Sequence, residues 1–446
     1  MFTLVDGFVA LVLLAGLLGN RFQPLPVAAI GLVALRGTVA RIAKGEGFRK
    51  VEWAVLVCLG YWLATYFWST GDVGNLISYK FLRQDGSFLV SYAAFFFLLG
   101  LPLTVRLCET FWFVFLSVLS VVGLAGTAIT LNLPYSFLLN PLRVVILEEA
   151  VGGDMLVGWY EAHNTAGGVF AIASVMVLVL LQQEKVSQNG KIFRWFLLAG
   201  CMSGLIFTYS RGSYLAFCAG AAVVLPWRKL GTVVKVGLLV AVPAVLIMLA
   251  TSSVMDRIDT ITDPYYGTNA SRLEIWGEAW DYFTLSPIVG IGFGRFNDDF
   301  KHYKGVKHVI WVATDAIIVN SDGHAHNSYL QFLAEGGIIG LFVTLYVWWC
   351  GWRELLYFEG RYPKSKLGWI EKSARGCLVV VCAHAMTEHA LGRGSVVLIL
   401  GALIGTTLAT ARLEERAAKH LAKRALRLAM PGQVVPAGRP GTVAVK

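Results

Sequence analysis

The stretch His324-Ala325-His326-Asn327-Ser328-Tyr329-Leu330-Gln331-Phe332-Leu333-Ala334-Glu335-Gly336-Gly337-Ile338-Ile339-Gly340-Leu341 carries two imidazoles, an amide and a carboxylate into the mouth of an apolar run. That run, 327–350, exceeds the roughly 20 helical residues needed to cross a hydrocarbon core of about 30 Å. Polar groups are costly at such a position and usually have a task there. The stretch thus closes a polar segment, opens a spanning helix and marks the first place to look for chemistry.

Working outward, 56% of the 446 residues are hydrophobic and only 15% are charged, against about 25% charged in soluble domains. The chain reads as an all-α polytopic membrane protein. Twelve apolar windows qualify as spans, near 4–20, 24–43, 52–70, 88–106, 111–131, 164–182, 193–210, 212–228, 232–250, 327–350, 374–390 and 394–411, the second interrupted by Arg36 and Arg41. Residues 1–250 then hold nine spans, 251–326 form one long outer loop with short helices, 327–411 hold three more spans, and 412–446 make a basic inner tail.

The net charge of +10 sits in short loops between apolar runs, not on one solvated face, which excludes a nucleic-acid partner. With the amino terminus inside, inner segments hold 26 Lys and Arg and outer segments 12, half of the latter in 251–326. The asymmetry fits inner amino and carboxyl termini. The first run lacks a basic flank and a small-residue cleavage site, so it reads as a retained helix. None of the seven cysteines falls in an outer loop, and no disulfide framework is implied. Beyond Ala411, Leu413, Ala417, Leu421, Ala425 and Leu428 alternate with basic residues as in an amphipathic helix on the inner leaflet, and the Pro- and Gly-rich tail from Pro431 reads as disordered.

Several outer residues are candidates for a site. The segment Leu131 to His163 ends in Glu161 and His163, which either solvate a helix start or line a site. Arg211, in Tyr209-Ser210-Arg211-Gly212-Ser213, is the one charge between Trp195 and Trp227 and sits on the disfavoured outer side. An arginine there can snorkel to headgroups, but its isolation favours anion binding. In the long loop, Ser271 to Glu274 matches a capping box and predicts a helix over about 272–283 that lies against the membrane or the helix bundle, with Leu273, Trp276, Trp280 and Phe283 as a packing stripe. Arg272 then falls in a first helical turn, against the dipole, as suits an anion drawn to both the arginine and the open N–H groups.

Ser286-Pro287-Ile288-Val289-Gly290-Ile291-Gly292-Phe293-Gly294-Arg295-Phe296 lacks the strand, the helix and the Lys-Ser or Lys-Thr of a nucleotide loop, and reads as a turn that brings backbone close to a neighbour. Arg295 adds to the cationic surface or pairs with Asp298 or Asp299. His324 and His326 with Asp322 suggest metal ligands, but the outer segments hold no Asp-x-Asp, so no metal and no cofactor is expected. Glu335 reads as a buried structural group. His389, with Glu388 and Arg393 in the last outer turn, is placed within reach of the site. A transporter would carry paired broken helices and deep ionisable groups, and His384 is the one clear deep candidate.

Taken together, the His324 to Gln331 run with its following Glu335 and glycines, the Ser210-Arg211-Gly212 turn, and Arg272 followed by Ser286-Pro287 and Gly290 to Gly294 resemble the O-antigen ligase and polymerase family of bacterial inner-membrane glycosyltransferases. The motifs cover roughly 150 residues of the carboxyl-terminal half. The resemblance implies transfer of a glycan from undecaprenyl diphosphate at the periplasmic face, with His326, directly before Asn327, as the essential histidine. Arg211 and Arg272 suit the departing diphosphate, since guanidinium stays charged and forms paired bonds to phosphate oxygens. A histidine with an ordinary pKa of about 6.5 accepts the proton of the acceptor hydroxyl at pH 7. His324, Asn327, Arg295, Glu161, His163 and His389 are the expected substrate-binding residues. The long loop resembles the ligase arrangement, with lipid A–core oligosaccharide as acceptor. A polymerase and a protein O-oligosaccharyltransferase are the alternatives within the family.

Overall fold

The computed structural model describes residues 47–69, 87–99, 105–142, 144–147, 155–160, 162–184, 186–227, 267–296, 309–312, 315–318, 324–362 and 367–429, with isolated positions elsewhere. Ten α-helices are described: α1 (Lys50–Ser69), α2 (Ser87–Leu99), α3 (Val105–Thr130), α4 (His163–Leu181), α5 (Gln188–Phe207), α6 (Arg211–Val224), α7 (Gly267–Leu285), α8 (Ser328–Arg361), α9 (Gly368–His384) and α10 (Gly394–Ala429). Among the described residues six helices are long and apolar enough to cross a membrane, and Phe88–Leu99 and Arg211–Val224 are shorter apolar helices. Nine of the expected runs coincide with described helices. The runs 4–20, 24–43 and 232–250 lie outside the described residues apart from isolated positions.

Helices in an apolar medium gain little from burying apolar surface against one another, so close packing through small residues holds them. Gly123 of α3 faces the backbone of Gly200 on α5, and Gly220 of α6 faces Gly376 of α9. Ser120 Oγ donates to Leu197 O at 2.9 Å across the first of these seams. At one end of the bundle Arg49 binds Glu354 at 3.0 Å and Glu415 at 3.2 Å, tying α1 to α8 and α10. The described residues around the start of α8 and the turn between α9 and α10 lie at the other end.

α8 is broken. Gly337 has φ 59 and ψ −163, so the helix stops and restarts there. Each broken end leaves backbone groups without an intrahelical partner, and the glycine-rich stretch supplies them. Ile291 N donates to Ala334 O and Gly292 N to Glu335 O, both at 2.9 Å, while Ile338 N and Ile339 N donate to Pro287 O and Ile288 O at 2.9 and 3.2 Å. Tyr61 Oη donates to Gly336 O at 2.5 Å from α1. The reading of this stretch as a close backbone approach holds: a Cβ on Gly290 would enter the backbone of Glu335 and Gly336. Gly290 also has φ 72, a region L side chains avoid. Gly290→Ala is therefore expected to cost on the order of 2–4 kcal/mol from strain and overlap together. It should lower the melting temperature in detergent, whereas Gly277→Ala on α7, with open space around it, should not.

The long loop departs from its expected form. α7 begins at Gly267, so Ser271 lies a turn inside the helix instead of capping it, and Arg272 is not in the first turn. The buried face is Ile275, Ala279 and Tyr282, packed on Phe296, Ala325 and Ala334. Leu273 and Trp280 of the expected packing stripe are more than half exposed, as are Leu285 and Ile288. Ile338, Ile339 and Phe342 on α8 are exposed as well, and exposed apolar side chains of this kind suit lipid. Further on, Val309–Val312 (β3) and Asp315–Ile318 (β4) pair antiparallel. Val145–Leu147 (β1) and Met155–Gly158 (β2) are also an antiparallel pair, so two short strand pairs stand beside the helices. Runs such as Val309-Ile310-Trp311-Val312 fit a strand better than a short helix, because β-branched and aromatic side chains lose freedom in a helix. α10 runs unbroken for 36 residues, about 54 Å at 1.5 Å per residue. The basic amphipathic segment is thus an extension of the last span and not a separate helix.

Candidate functional site

The site is built where the start of α8 meets the turn between α9 and α10. Asn327 caps α8, its Oδ1 accepting from Tyr329 N and Leu330 N at 3.0 and 3.1 Å. Ser328 N donates to Ala385 O at 2.8 Å, Ser328 Oγ donates to Glu388 O at 3.3 Å, and Leu391 N donates to Ser328 Oγ at 3.1 Å. Two turns of chain 60 residues apart are thereby laced together. On the other flank Trp276 Nε1 of α7 donates to Ala325 O at 2.9 Å, and Ala325 N donates to Gln331 Oε1 at 2.7 Å. These bonds hold His326 at φ 47, a conformation that costs a non-glycine residue about 1 kcal/mol or more and persists only where the surroundings impose it.

Glu388 is the centre of the charged cluster. Its Oε2 lies 3.3 Å from His326 Nδ1 and its Oε1 3.1 Å from His324 Nε2. Oε1 also accepts from His389 N at 3.0 Å. Burial by itself raises a carboxyl pKa, but hydrogen bonds from the two imidazoles and their charge outweigh it and hold Glu388 well below the usual range. It is ionised at neutral pH. Burial lowers the pKa of His324, with Arg393 adding to the effect and Glu388 opposing it. His389 is pushed well below its ordinary value, by burial first and by its cationic neighbours second.

Cations surround this carboxylate. Arg393 Nη2 is 3.1 Å from His324 Nε2 and 4.0 Å from Glu388 Oε1. Arg272 is partly buried and within electrostatic reach of Glu388, which offsets part of the desolvation that lowers its pKa. The N-terminus of α6 comes in from a third side: a Cβ on Gly212 would strike Thr387, next to Glu388. Arg211 thus opens its helix beside the α9–α10 turn. Ser210 Oγ donates to Asn164 Oδ1 at 2.9 Å, and Ser213 Oγ to Ser210 Oγ at 2.8 Å. Those bonds set the start of α4, with His163, against the start of α6.

Of the sequence candidates, His324, His326, Arg272 and His389 come together around Glu388, and Arg211 and His163 arrive on adjoining helix starts. The His389 ring centroid is 5.9 Å from that of His324. Asn327 has a structural task as the cap of α8. Arg295 stands at the α8 break, beside the bond from Phe296 N to Glu335 Oε1 at 3.2 Å, which also gives Glu335 its structural role. Glu161, Asp298, Asp299 and Asp322 lie outside the described residues. Glu388 itself was visible only as an acid in the last outer turn, and nothing local tied it to histidines 62 residues earlier.

His324, His326 and Glu388 bring one ligand-type atom each to within 4.8 Å of one another, a spacing a cation would tolerate. Arg393, against His324, makes that spot unfavourable for a divalent ion, since a fixed guanidinium would face it at short range. The arrangement suits a carboxylate that positions imidazoles, with arginines poised to receive anionic oxygens. It can take a proton from a hydroxyl and stabilise a departing phosphate.

Comparison with known proteins follows from this geometry. Residues 195–345 match the family model described as O-antigen ligase, a span that takes in Arg211, Arg272, His324, His326 and Asn327 but not Glu388, His389 or Arg393. A search of curated proteins finds no match. Within that span the chain is similar to the O-antigen ligase family, and six described helices are long and apolar enough to cross a membrane.

Proposed function

We propose that the chain moves O-antigen polysaccharide from undecaprenyl diphosphate to lipid A–core oligosaccharide at the periplasmic face of the bacterial inner membrane, with both termini cytoplasmic. The observation that carries this reading is the meeting of His326 and Glu388 with Arg272, beside the helix start that bears Arg211. His326 removes the proton of the acceptor hydroxyl as its oxygen attacks the anomeric carbon. Arg211 and Arg272 stabilise the charge that grows on the diphosphate as the glycosidic bond breaks. A single displacement with one base inverts the anomeric carbon, and it requires no metal because the arginines supply the positive charge. His324, His389, His163, Arg295, Glu161 and the Asn327 side chain are the substrate-binding residues in this reading.

Two lipid-linked substrates also suit a polymerase, and a protein acceptor suits an oligosaccharyltransferase. Purified protein given lipid-linked glycan with lipid A–core, with a second lipid-linked repeat, or with an acceptor protein separates the three. Capped lipid A–core of inverted configuration, formed equally well in EDTA, is the expected product. Lengthened lipid-linked chains alone would make the enzyme a polymerase. Activity lost in EDTA and restored by magnesium or manganese would overturn metal independence.

A further inference from the structure

We propose that Glu388 is a positioning residue that fixes the tautomer of His326, so that Nδ1 carries the proton and Nε2 is the nitrogen that receives the acceptor's. The inference rests on the reading of His326 as the base. It starts from an asymmetry between the two histidines. An ionised carboxylate only accepts hydrogen bonds, so the His326 nitrogen 3.3 Å from Glu388 Oε2 is the protonated one. His324 has no such settled state: its Nε2 lies 3.1 Å from Glu388 Oε1 and also 3.1 Å from Arg393 Nη2. A guanidinium only donates, so that one nitrogen serves either the carboxylate or the arginine. The fixed tautomer belongs to His326.

The surroundings keep the carboxylate in place for this task. Glu388 is 2% exposed, its carbonyl is bonded to Ser328 and its Oε1 to the next backbone amide. His326 has a left-handed backbone, and its Nδ1 lies 3.3 Å from Glu388 Oε2. During transfer the acceptor O–H bond breaks and an N–H bond forms at Nε2. The hydroxyl oxygen bonds to the anomeric carbon, and the electron pair of the broken glycosidic bond leaves on the diphosphate. The imidazolium so formed faces an anion across its Nδ1–H, which lowers the cost of making it, as the buried carboxylate does in the Ser-His-Asp arrangement. An acidic residue in the α9–α10 turn, outside the span matched to the family, therefore completes the catalytic unit.

The test combines rate and spectroscopy. Nitrogen NMR of histidine-labelled wild-type protein, with His326→Ala to assign the signal, should show the Nδ1–H tautomer of His326 before any substrate is added. Glu388→Gln should weaken that signal and lower kcat by about 10²- to 10⁴-fold, with the KM for lipid-linked donor near wild type. Glu388→Asp, which keeps the charge on a shorter arm, should recover part of both. An Nε2–H tautomer in wild type overturns the proposal, as does Glu388→Gln with wild-type kcat, or with lost kcat and an unchanged tautomer. The NMR readout on wild type needs neither a variant nor a substrate, so its failure is separable from failure of the transfer reading.

Discussion

His326→Ala removes glycan transfer almost entirely, an expected loss of about 10²- to 10⁴-fold for deletion of a positioned base, while the protein keeps its fold and binds lipid-linked donor. The fold survives because the lacing of α8 to the α9–α10 turn runs through Ser328 and the cap through Asn327, not through the imidazole. Removing the side chain also leaves the left-handed backbone of residue 326 in place. Single-turnover transfer and donor binding, measured on the same purified preparation, check this. A variant that binds donor and still transfers at the wild-type rate would place the base elsewhere.

Arg211→Ala and Arg272→Ala each lower transfer by about 10²- to 10³-fold, the scale seen when one preorganised transition-state donor is deleted. Lysine at either position recovers only part of the loss, because a point charge lacks the planar pair of N–H groups. The two arginines differ in one respect. Arg272 interacts electrostatically with Glu388, so its removal leaves that carboxylate less compensated, and Arg272→Ala should also lower thermal stability. Arg211 is half-buried at a helix start, and Arg211→Ala should melt near wild type. Transfer assays at matched protein level, with melting curves beside them, decide both points. Near wild-type transfer by both alanine variants would refute the diphosphate role.

The parts of this architecture legible in the sequence are those set by local physics. A long apolar run is a span wherever it occurs, and nine of the runs coincide with described helices. Glycines spaced through Gly290, Gly292 and Gly294 announced a backbone approach, although not to what. The stripe of α7 left membrane and helix bundle open as its neighbours, because hydropathy does not separate a side chain packed on protein from one facing lipid: Leu273 and Trp280 are exposed while Ile275 and Tyr282 are buried. The break at Gly337 was hidden for a similar reason, since Gly336-Gly337 inside an apolar run reads as tight helix packing. Only the arrival of Pro287 to Gly292 from another part of the chain makes a break affordable. Glu388 illustrates the same limit at the site, because its significance depends on a contact across 62 positions.

The filled break in α8 bears on how the chain is made. Residues 286–292 leave the ribosome before residues 334–339, and the bonds between them form only once both have reached the same side of the membrane. Until then the last carbonyls of the first half-helix and the first amides of the second stay open in a setting with little water, at a cost of several kcal/mol. An α8 inserted upside down would carry its break to the wrong side, where no glycine-rich stretch waits to close it. Completion of the longest described apolar span, and with it the placement of His326 at its start, therefore depends on residues 286–292 lying against the break.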